Sequence, residues 1–252
     1  MVTLVSGLLP CLDRERGESD WLDFAHLLRA TGLPVVLYGE PGLMEKVDTE
    51  PEGALGSAVL RPLNEDALRR GLWLHEELQA LTEASGQDRD RGLERIARLR
   101  AMGWLHDESI FNAHGSQGFV WVDPLLLDEV QPAYLASRGP LSRIEPLLDP
   151  VLLLASSDCG DGQGFSDALF GGAAYRLHSV NQFYWQAYAE LISQRRLPSF
   201  ALLMTMLWKE LPGSFQRFNL QSNGLAGTFF EALLGGPLAL ETLHLSPVSH
   251  DE

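Results

Sequence analysis

The feature that most constrains the fold is a strand, a helix and a second strand in close succession at the start of the chain. Residues Val2 to Leu9 form one apolar run, and Pro34 to Gly39 form another that stops at a glycine. Between them, apolar residues from Trp21 to Leu28 recur at helical spacing. Strands joined by a crossover helix run parallel, so this order begins a doubly wound α/β sheet.

The rest of the chain continues the α/β pattern. Segments predicted to be strands or helices are Ala58–Leu60 (strand), Asn64–His106 (helical, broken at Ser85–Asp90), Val151–Ala155 and Ala168–Ala173 (extended), and Tyr175–Leu211 (two helices, with Pro198 at the start of the second). We predict a doubly wound α/β sheet flanked by helices, in a single domain over residues 1–246. The polar tail 247–252 is predicted to be disordered.

Composition and charge exclude several classes of partner. The chain has 34 acidic against 19 basic residues, a net charge of −15. This argues against nucleic acid or an anionic membrane as the main partner, because both require basic surfaces. A phosphate-bearing small ligand needs only one or two local cations and is not excluded. With two cysteines, no signal peptide and no apolar stretch of membrane length, we expect a cytoplasmic protein.

A short apolar strand at 119–122 ends on Asp123 and Pro124. Two interpretations of this pair are open. An Asp-Pro pair often ends a strand, because Asp bonds its own backbone and Pro cannot continue a ladder. An aspartate at a strand mouth can also hold a metal or a diphosphate. In open α/β sheets ligands bind beyond the carboxyl ends of the strands, and Ser6, Tyr38 and Asp123 all lie at such ends in the predicted sheet.

Other candidate nucleotide-binding residues have structural alternatives. Arg98 and Arg100 are two apart on one predicted helix and cannot share a face, so we expect one to contact a phosphate and the other to be a surface charge. Gly171 and Gly172 permit close approach of a ligand to the backbone, or simply a bend. Ser6 is in the same way either a contact for a base or ribose, or part of a turn.

Four short motifs, taken in order, carry a resemblance to a known family. They are Leu4–Ser6 with the Val35–Tyr38 strand, Arg98–Leu105 followed by Ile110–Asn112, Phe119–Asp123, and Leu169–Gly172 followed by an aromatic helix with Phe183–Tyr184 and by Leu211–Pro212. Over residues 3–218 this order resembles the bacterial WlaTC/HtrL (YibB-like) family.

That resemblance implies the GT-A glycosyltransferase fold, a Rossmann-like mixed sheet flanked by helices. It also implies transfer of a sugar from a nucleotide-sugar donor to an unknown acceptor, with Asp123 as the catalytic residue. Such a transfer needs the charge of the leaving phosphate neutralised, by a divalent metal on carboxylates or by Arg and Lys. Mn²⁺ or Mg²⁺ on Asp123 together with ligand phosphates would meet that need.

The sequence also departs from the family pattern. Pro124 and Leu125 follow the strand-end acid where the family has a glycine two residues on, and Phe200 lies about where the family has a second acid. Asp167, or the acids of the Ser156–Gly164 loop (Asp158 and Asp161), could substitute for it. These departures keep open an alternative function: a catalytically altered or inactive scaffold that binds a partner, or a different enzyme on that scaffold.

Overall fold

The computed structural model describes residues 2–12, 16–30, 33–48, 58–107, 118–124, 152–157, 164–211 and 214–219. The helices and strands of these ranges are β1 (Val2–Leu8), α1 (Glu18–Ala30), β2 (Val35–Gly39), α2 (Pro41–Asp48), β3 (Ala58–Pro62), α3 (Glu65–Arg70), α4 (His75–Ala84), α5 (Arg89–Leu105), β4 (Gly118–Val122), β5 (Leu152–Ser157), β6 (Gly164–Ala173), α6 (Ala174–Ser193), α7 (Phe200–Glu210) and β7 (Phe215–Asn219).

The described strands form one seven-stranded mixed sheet in the order β3-β2-β1-β4-β6-β5-β7. Among them β6 alone runs antiparallel to its neighbours, pairing with β4 on one side and β5 on the other. The pairs β1–β2, β1–β4, β2–β3 and β5–β7 are parallel. The predicted α/β class, a mixed sheet flanked by helices, is confirmed.

The described side chains of β1, β2 and β4 are buried on both faces of the sheet, which explains why these strands are nearly continuous apolar runs. In β1, Leu4 and Val5 are both fully buried although their side chains point to opposite faces. Val5 belongs to the core cluster that includes Leu99 and Met102 of α5. Full burial of each such side chain stabilises the fold by about 1.5–3 kcal/mol. Helix α5 therefore packs beneath the centre of the sheet.

Side chains at the N-cap positions fix where three helices begin. The side chains of Asn64, Asp88 and Ser199 each accept a hydrogen bond from the amide three residues on, at the start of α3, α5 and α7. Pro198 thus lies one residue before the N-cap of α7, whereas the sequence suggested that it opened the helix. Asn64 precedes a helix whose first turn is acidic, and Ser199 precedes an apolar helix, so the sequence carried both signals.

Three elements differ from the sequence prediction. The predicted helical segment before Ser85 is divided into α3 and α4, because Leu74 adopts a left-handed conformation with φ 56°. Helix α2 was not predicted, although Pro41 at its first position is a common start signal. Strand β7 was also missed, since Phe215–Asn219 is short and partly polar and is a strand through its pairing with β5.

Some predictions concern residues outside the described ranges. These are the 247–252 tail, the motif residues Ile110–Asn112 and Pro212, Leu125, and the loop acids Asp158 and Asp161. Within the described ranges, no helix is both long enough and apolar enough to cross a membrane.

Candidate functional site

The order of strands changes direction between β1 and β4, and a cavity of about 230 Å³ opens at that point. Chain connections lead from β1 outward to β2 and β3, while β4 lies on the other side of β1. Gly7 and Leu9, at the end of β1, line this cavity together with Asp123 and Pro124, which follow β4. Ligands of open α/β sheets bind at such a switch point. The geometry therefore supports a ligand site beside Asp123.

Asp123 is buried, with 7% of its surface exposed, and is paired with an arginine. Its Oδ2 lies 3.5 Å from Nη1 of Arg98 on α5. The same Nη1 forms an ion pair with Oδ1 of Asp167, and Nη2 lies 2.9 Å from Oε1 of Glu94. Burial alone would lower the pKa of Arg98, but the charges of Asp123 and Asp167 outweigh it and raise that pKa. The guanidinium is a fixed cation among three carboxylates.

Asp167 reaches the site because β6 is antiparallel. Leu169 pairs with Val122, so the residues before Leu169 in β6 lie beyond the carboxyl end of β4. The indole Nε1 of Trp121 donates a hydrogen bond of 3.0 Å to the backbone carbonyl of Asp167. The sequence had suggested Asp167 only as one of several substitutes for a missing acid. Its place beside Asp123 follows from strand pairing alone.

Three tryptophans line the 230 Å³ cavity: Trp21 of α1, Trp104 of α5 and Trp121 of β4. The rings of Trp104 and Trp121 are 5.5 Å apart, and Trp104 stacks on Tyr38 at 4.6 Å. Buried indole N–H groups usually find a hydrogen-bond partner. Those of Trp21 and Trp104 have none among the residues that the structure describes. Two of the three tryptophans that line the cavity thus carry a buried N–H group without an acceptor among the described residues.

A second cavity, of about 380 Å³, lies on the other side of Arg98. Arg91 and Arg95 line it from α5, Asp167 lines it from β6, and residues 199–201 at the start of α7 also contribute. Glu94 and Arg98 line both cavities, so the two are adjacent. The sequence prediction overlooked Arg91 and Arg95. Their spacing relative to Arg98, at positions i, i+4 and i+7 of one helix, was the signal that could have identified them.

Two predicted nucleotide-binding residues have structural partners instead. Ser6 lies within β1, two residues before its end, so its predicted strand-end position is corrected. Its Oγ donates a 2.6 Å hydrogen bond to the carbonyl of Val122, the residue before Asp123. Tyr38 lies on the far side of Trp104, and its hydroxyl donates a 2.9 Å hydrogen bond to Asp107. Burial and the charge of Asp107 raise the pKa of Tyr38.

The other predicted contacts also lie away from both cavities. Nη1 of Arg100 is 3.4 Å and 3.3 Å from the carbonyls of Ala67 and Leu68, so it braces the end of α3. Arg98 and Arg100 point to different places, as their spacing predicted. Gly171 and Gly172 lie inside β6, paired with β4, and a Cβ on Gly171 would be 2.8 Å from Cα of Val120. Nucleotide binding by Arg100 and these glycines stays a prediction that their contacts do not support.

Phe200 replaces the second acid of the resembled family with a core residue. It is 3% exposed, and its ring lies 4.5 Å from that of Phe170. Its position also borders the 380 Å³ cavity, where Asp167 supplies a carboxylate. The acid that the family pattern requires is therefore absent at this position, but a carboxylate from β6 lines the same cavity.

The described residues do not fit a divalent metal at Asp123. Within the described ranges no group of three or more His, Cys, Asp or Glu side chains is arranged to hold a metal ion. The cation that Asp123 and Asp167 share is the Arg98 guanidinium, and it would repel a divalent ion placed between them. The predicted Mn²⁺ or Mg²⁺ on Asp123 thus has no support from this donor set.

No family model matches the sequence, and no curated protein is significantly similar to it. Among solved structures, the apo form of mouse Xyloside xylosyltransferase 1 is similar, with a TM-score of 0.46 and 10% sequence identity. The match covers 87% of this chain and 86% of that chain. A likeness of this degree carries no argument about function, which depends on the site described above.

Proposed function

We propose that this chain is a glycosyltransferase-like protein that binds a nucleotide-activated sugar at the switch point between β1 and β4. The proposal rests on one observation. Asp123 and Asp167 are held together by Arg98 at the carboxyl edge of the sheet, between an aromatic cavity and an arginine-lined cavity. A nucleoside diphosphate sugar has a planar base, a charged diphosphate and a polar sugar, and it would suit such a divided site.

The sizes of the cavities support a ligand that occupies both. Ligand pockets measure roughly 300–1,000 Å³. The aromatic cavity, at about 230 Å³, is below that range, and the arginine-lined cavity adds about 380 Å³. A base would stack on the tryptophan rings of the smaller cavity. The diphosphate and sugar would then extend past Arg98 into the larger one.

The two aspartates of the site, Asp123 and Asp167, would have different roles in the transfer. Sugar transfer requires a base to take the proton of the acceptor hydroxyl, and a carboxylate can do this. Asp167 lines the larger cavity and Asp123 the smaller, each beside Arg98. We propose that Asp123 positions the reacting groups of donor and acceptor. Asp167 is the candidate base that takes the proton of the acceptor hydroxyl. Membership of the GT-A-like WlaTC/HtrL family is part of this proposal, while the sugar and the acceptor are not assigned.

A second candidate function is a binding protein on the same scaffold. The observation that favours it is Phe200, which is buried in the core where the resembled family has an acid. A chain that retains the ligand cavities but has lost the acid would still bind a nucleotide. It would not transfer the sugar.

Thermal denaturation with nucleotide sugars tests the proposal. A ligand that binds only the folded state raises the melting temperature, by an amount that grows with its concentration over Kd. We expect at least one UDP-, GDP- or CMP-sugar to raise the Tm, with and without Mn²⁺. If none does, the transferase proposal fails. If one binds but no sugar is transferred or hydrolysed, the binding-protein function is favoured.

Asp123→Asn is the sharper test, because the asparagine keeps the shape and removes the charge. Glu94 and Asp167 remain as partners of Arg98, so the variant is expected to fold. We expect transfer or hydrolysis of the donor to fall by at least ~10-fold, equivalent to ~1.4 kcal/mol. Asp23→Asn, at an exposed position of α1, is the matched control and should leave activity unchanged. Equal activities of the two variants would show that the Asp123 carboxylate has no role in the reaction.

A further inference from the structure

Arg91, Arg95 and Arg98 lie along one face of α5 and line the same 380 Å³ cavity. Residues separated by three or four positions are neighbours on a helix surface, so the three guanidinium groups converge there. The cavity also contains the carboxylates of Glu94 and Asp167. Three cations against two carboxylates give this cavity a positive formal charge, in a chain whose net charge is −15.

The three arginines differ in their partners. Arg98 uses its N–H groups on Glu94, Asp123 and Asp167. The side chains of Arg91 and Arg95, in contrast, form no ion pair or hydrogen bond with any residue that the structure describes. The N–H groups of Arg91 and Arg95 are therefore available to donate hydrogen bonds to a ligand in this cavity.

Arg95 is the more informative of the two. It is half-buried, and burial lowers the pKa of its guanidinium despite the opposing charge of Glu94. A partly desolvated cation without a paired anion costs free energy. Charged groups with pKa values perturbed in this way cluster at functional sites. A fixed guanidinium fork matches phosphate oxygens in geometry as well as in charge.

The first residues of α7 also line the cavity and contribute the positive end of a helix dipole. Residues 199–201 begin α7, a helix of 11 residues. Ser199 already caps the amide of Leu202, and the amides before it have no acceptor within the helix. The positive end of the helix dipole adds to the arginine charges.

We propose that Arg91 and Arg95 form a binding site for the phosphate groups of a ligand in this cavity, and that they supply the positive charge without a divalent metal. The assignment of that ligand as the diphosphate of a sugar donor depends on the proposed function. The phosphate site itself depends only on the cavity and its arginines. Arg98 acts differently, as the brace that fixes Asp123 and Asp167.

Binding of inorganic pyrophosphate and of UDP, each measured by calorimetry in the presence of EDTA, tests the site. We expect the unmodified protein to bind both, with an affinity that weakens as salt increases. Arg95→Gln should weaken binding by at least ~10-fold, and Arg91→Gln by less, because Arg91 is exposed. Arg95→Lys keeps the charge and should retain part of the affinity. Arg70→Gln, an exposed arginine on α3, is the control and should bind normally.

Melting temperatures without ligand provide an independent readout. Since Arg95 has no partner in the described part of the chain, Arg95→Gln should leave the Tm of the free protein unchanged or raise it. Binding that requires Mn²⁺, or that is as tight in Arg95→Gln as in the unmodified protein, would overturn the proposal. Pyrophosphate binding with no response to any nucleotide sugar would keep the phosphate site and reject the transferase function. UDP-sugar turnover that needs Mn²⁺ and is unchanged in Arg95→Gln would support the transferase function and reject the phosphate site.

Discussion

At the residue scale, the site is organised by hydrogen bonds and ion pairs that connect neighbouring elements. Ser6 of β1 holds the carbonyl that precedes Asp123, and Arg98 of α5 holds the Asp123 carboxylate itself. A buried hydroxyl that satisfies a buried carbonyl is costly to remove, because the carbonyl is left without a partner. Ser6 thus supports the position of Asp123 without lining the cavity.

Ser6→Ala should therefore destabilise the protein by about 1–3 kcal/mol. The lost bond is the 2.6 Å contact from Oγ to the carbonyl of Val122. Urea denaturation measures the change in the free energy of unfolding. Ser179→Ala, whose hydroxyl makes a 3.4 Å contact on the exposed face of α6, is the control and should stay within ~0.5 kcal/mol of the parent protein. Equal changes in the two variants would show that the Ser6 hydroxyl has no special role.

Cys11 should be a slow thiol. Burial, reinforced by the charge of Glu40, raises its pKa to about 12. Its thiolate fraction at pH 8 is then ~10⁻⁴, and the higher intrinsic nucleophilicity of such a thiolate offsets only part of that loss. In a Cys159→Ser background, which leaves Cys11 as the only cysteine, we expect reaction with a disulfide reagent to be ~50-fold slower than for free cysteine.

The raised pKa of Cys11 also makes the stability of the protein depend on pH. The folded-state pKa lies above the unfolded value of about 8.5, so folding disfavours the thiolate. The contribution of Cys11 to stability is fully present below about pH 8.5 and is lost as the pH rises towards 12.

Unfolding provides the control for the labelling experiment. Denaturation in urea should restore rapid reaction of Cys11 with the disulfide reagent at pH 8. Rapid labelling of the folded protein would contradict the burial of this thiol.

At the scale of elements, the antiparallel strand β6 brings Asp167 to Asp123. β6 pairs closely with β4, and Gly171 lies opposite Val120 at the centre of this pairing. A Cβ at Gly171 would be 2.8 Å from Cα of Val120, and backbone cannot move aside as a flexible side chain can. Gly171 is therefore explained by strand packing.

Gly171→Ala is expected to destabilise the fold by about 3 kcal/mol or more, because overpacking against backbone forces the two strands apart. It should also reduce ligand binding, since the distance between Asp167 and Asp123 depends on this pairing. Gly42→Ala is the matched control: nothing lies within 4 Å of a Cβ there, and the position is in the first turn of α2. Its expected effect is neutral or stabilising by up to ~1 kcal/mol. Similar melting temperatures for both variants would contradict this account.

At the scale of the whole molecule, charge is distributed unevenly. The chain as a whole is strongly acidic, with a net charge of −15, yet three arginines converge on the cavity between α5, β6 and α7. In a negative protein, an anionic ligand is attracted only where cations are concentrated. This contrast is consistent with a small phosphate-bearing ligand.

Parts of the site were predictable from the sequence, and others were not. Asp123 was identified because an acid that ends an apolar strand is visible in the sequence, and the different orientations of Arg98 and Arg100 follow from helical periodicity. The ion pair between Arg98 and Asp167 was not predictable. The two residues are 69 positions apart, and nothing local indicates that β6 is inserted antiparallel next to β4. Ser6 was predicted to lie at a strand end and to contact a ligand, whereas it lies inside β1 and its acceptor belongs to another strand.

The sequence by itself determined the α/β class, most helices and strands, and the acid at the end of β4, because these depend on local periodicity and on residues that end a strand or helix. The tertiary structure decided which charges meet. Strand order and pairing placed Asp167 and Arg98 beside Asp123, and the packing of α5 against β6 and α7 created the arginine-lined cavity. Electrostatic contacts act over a few ångströms in space, whereas a sequence pattern reports only neighbours along the chain.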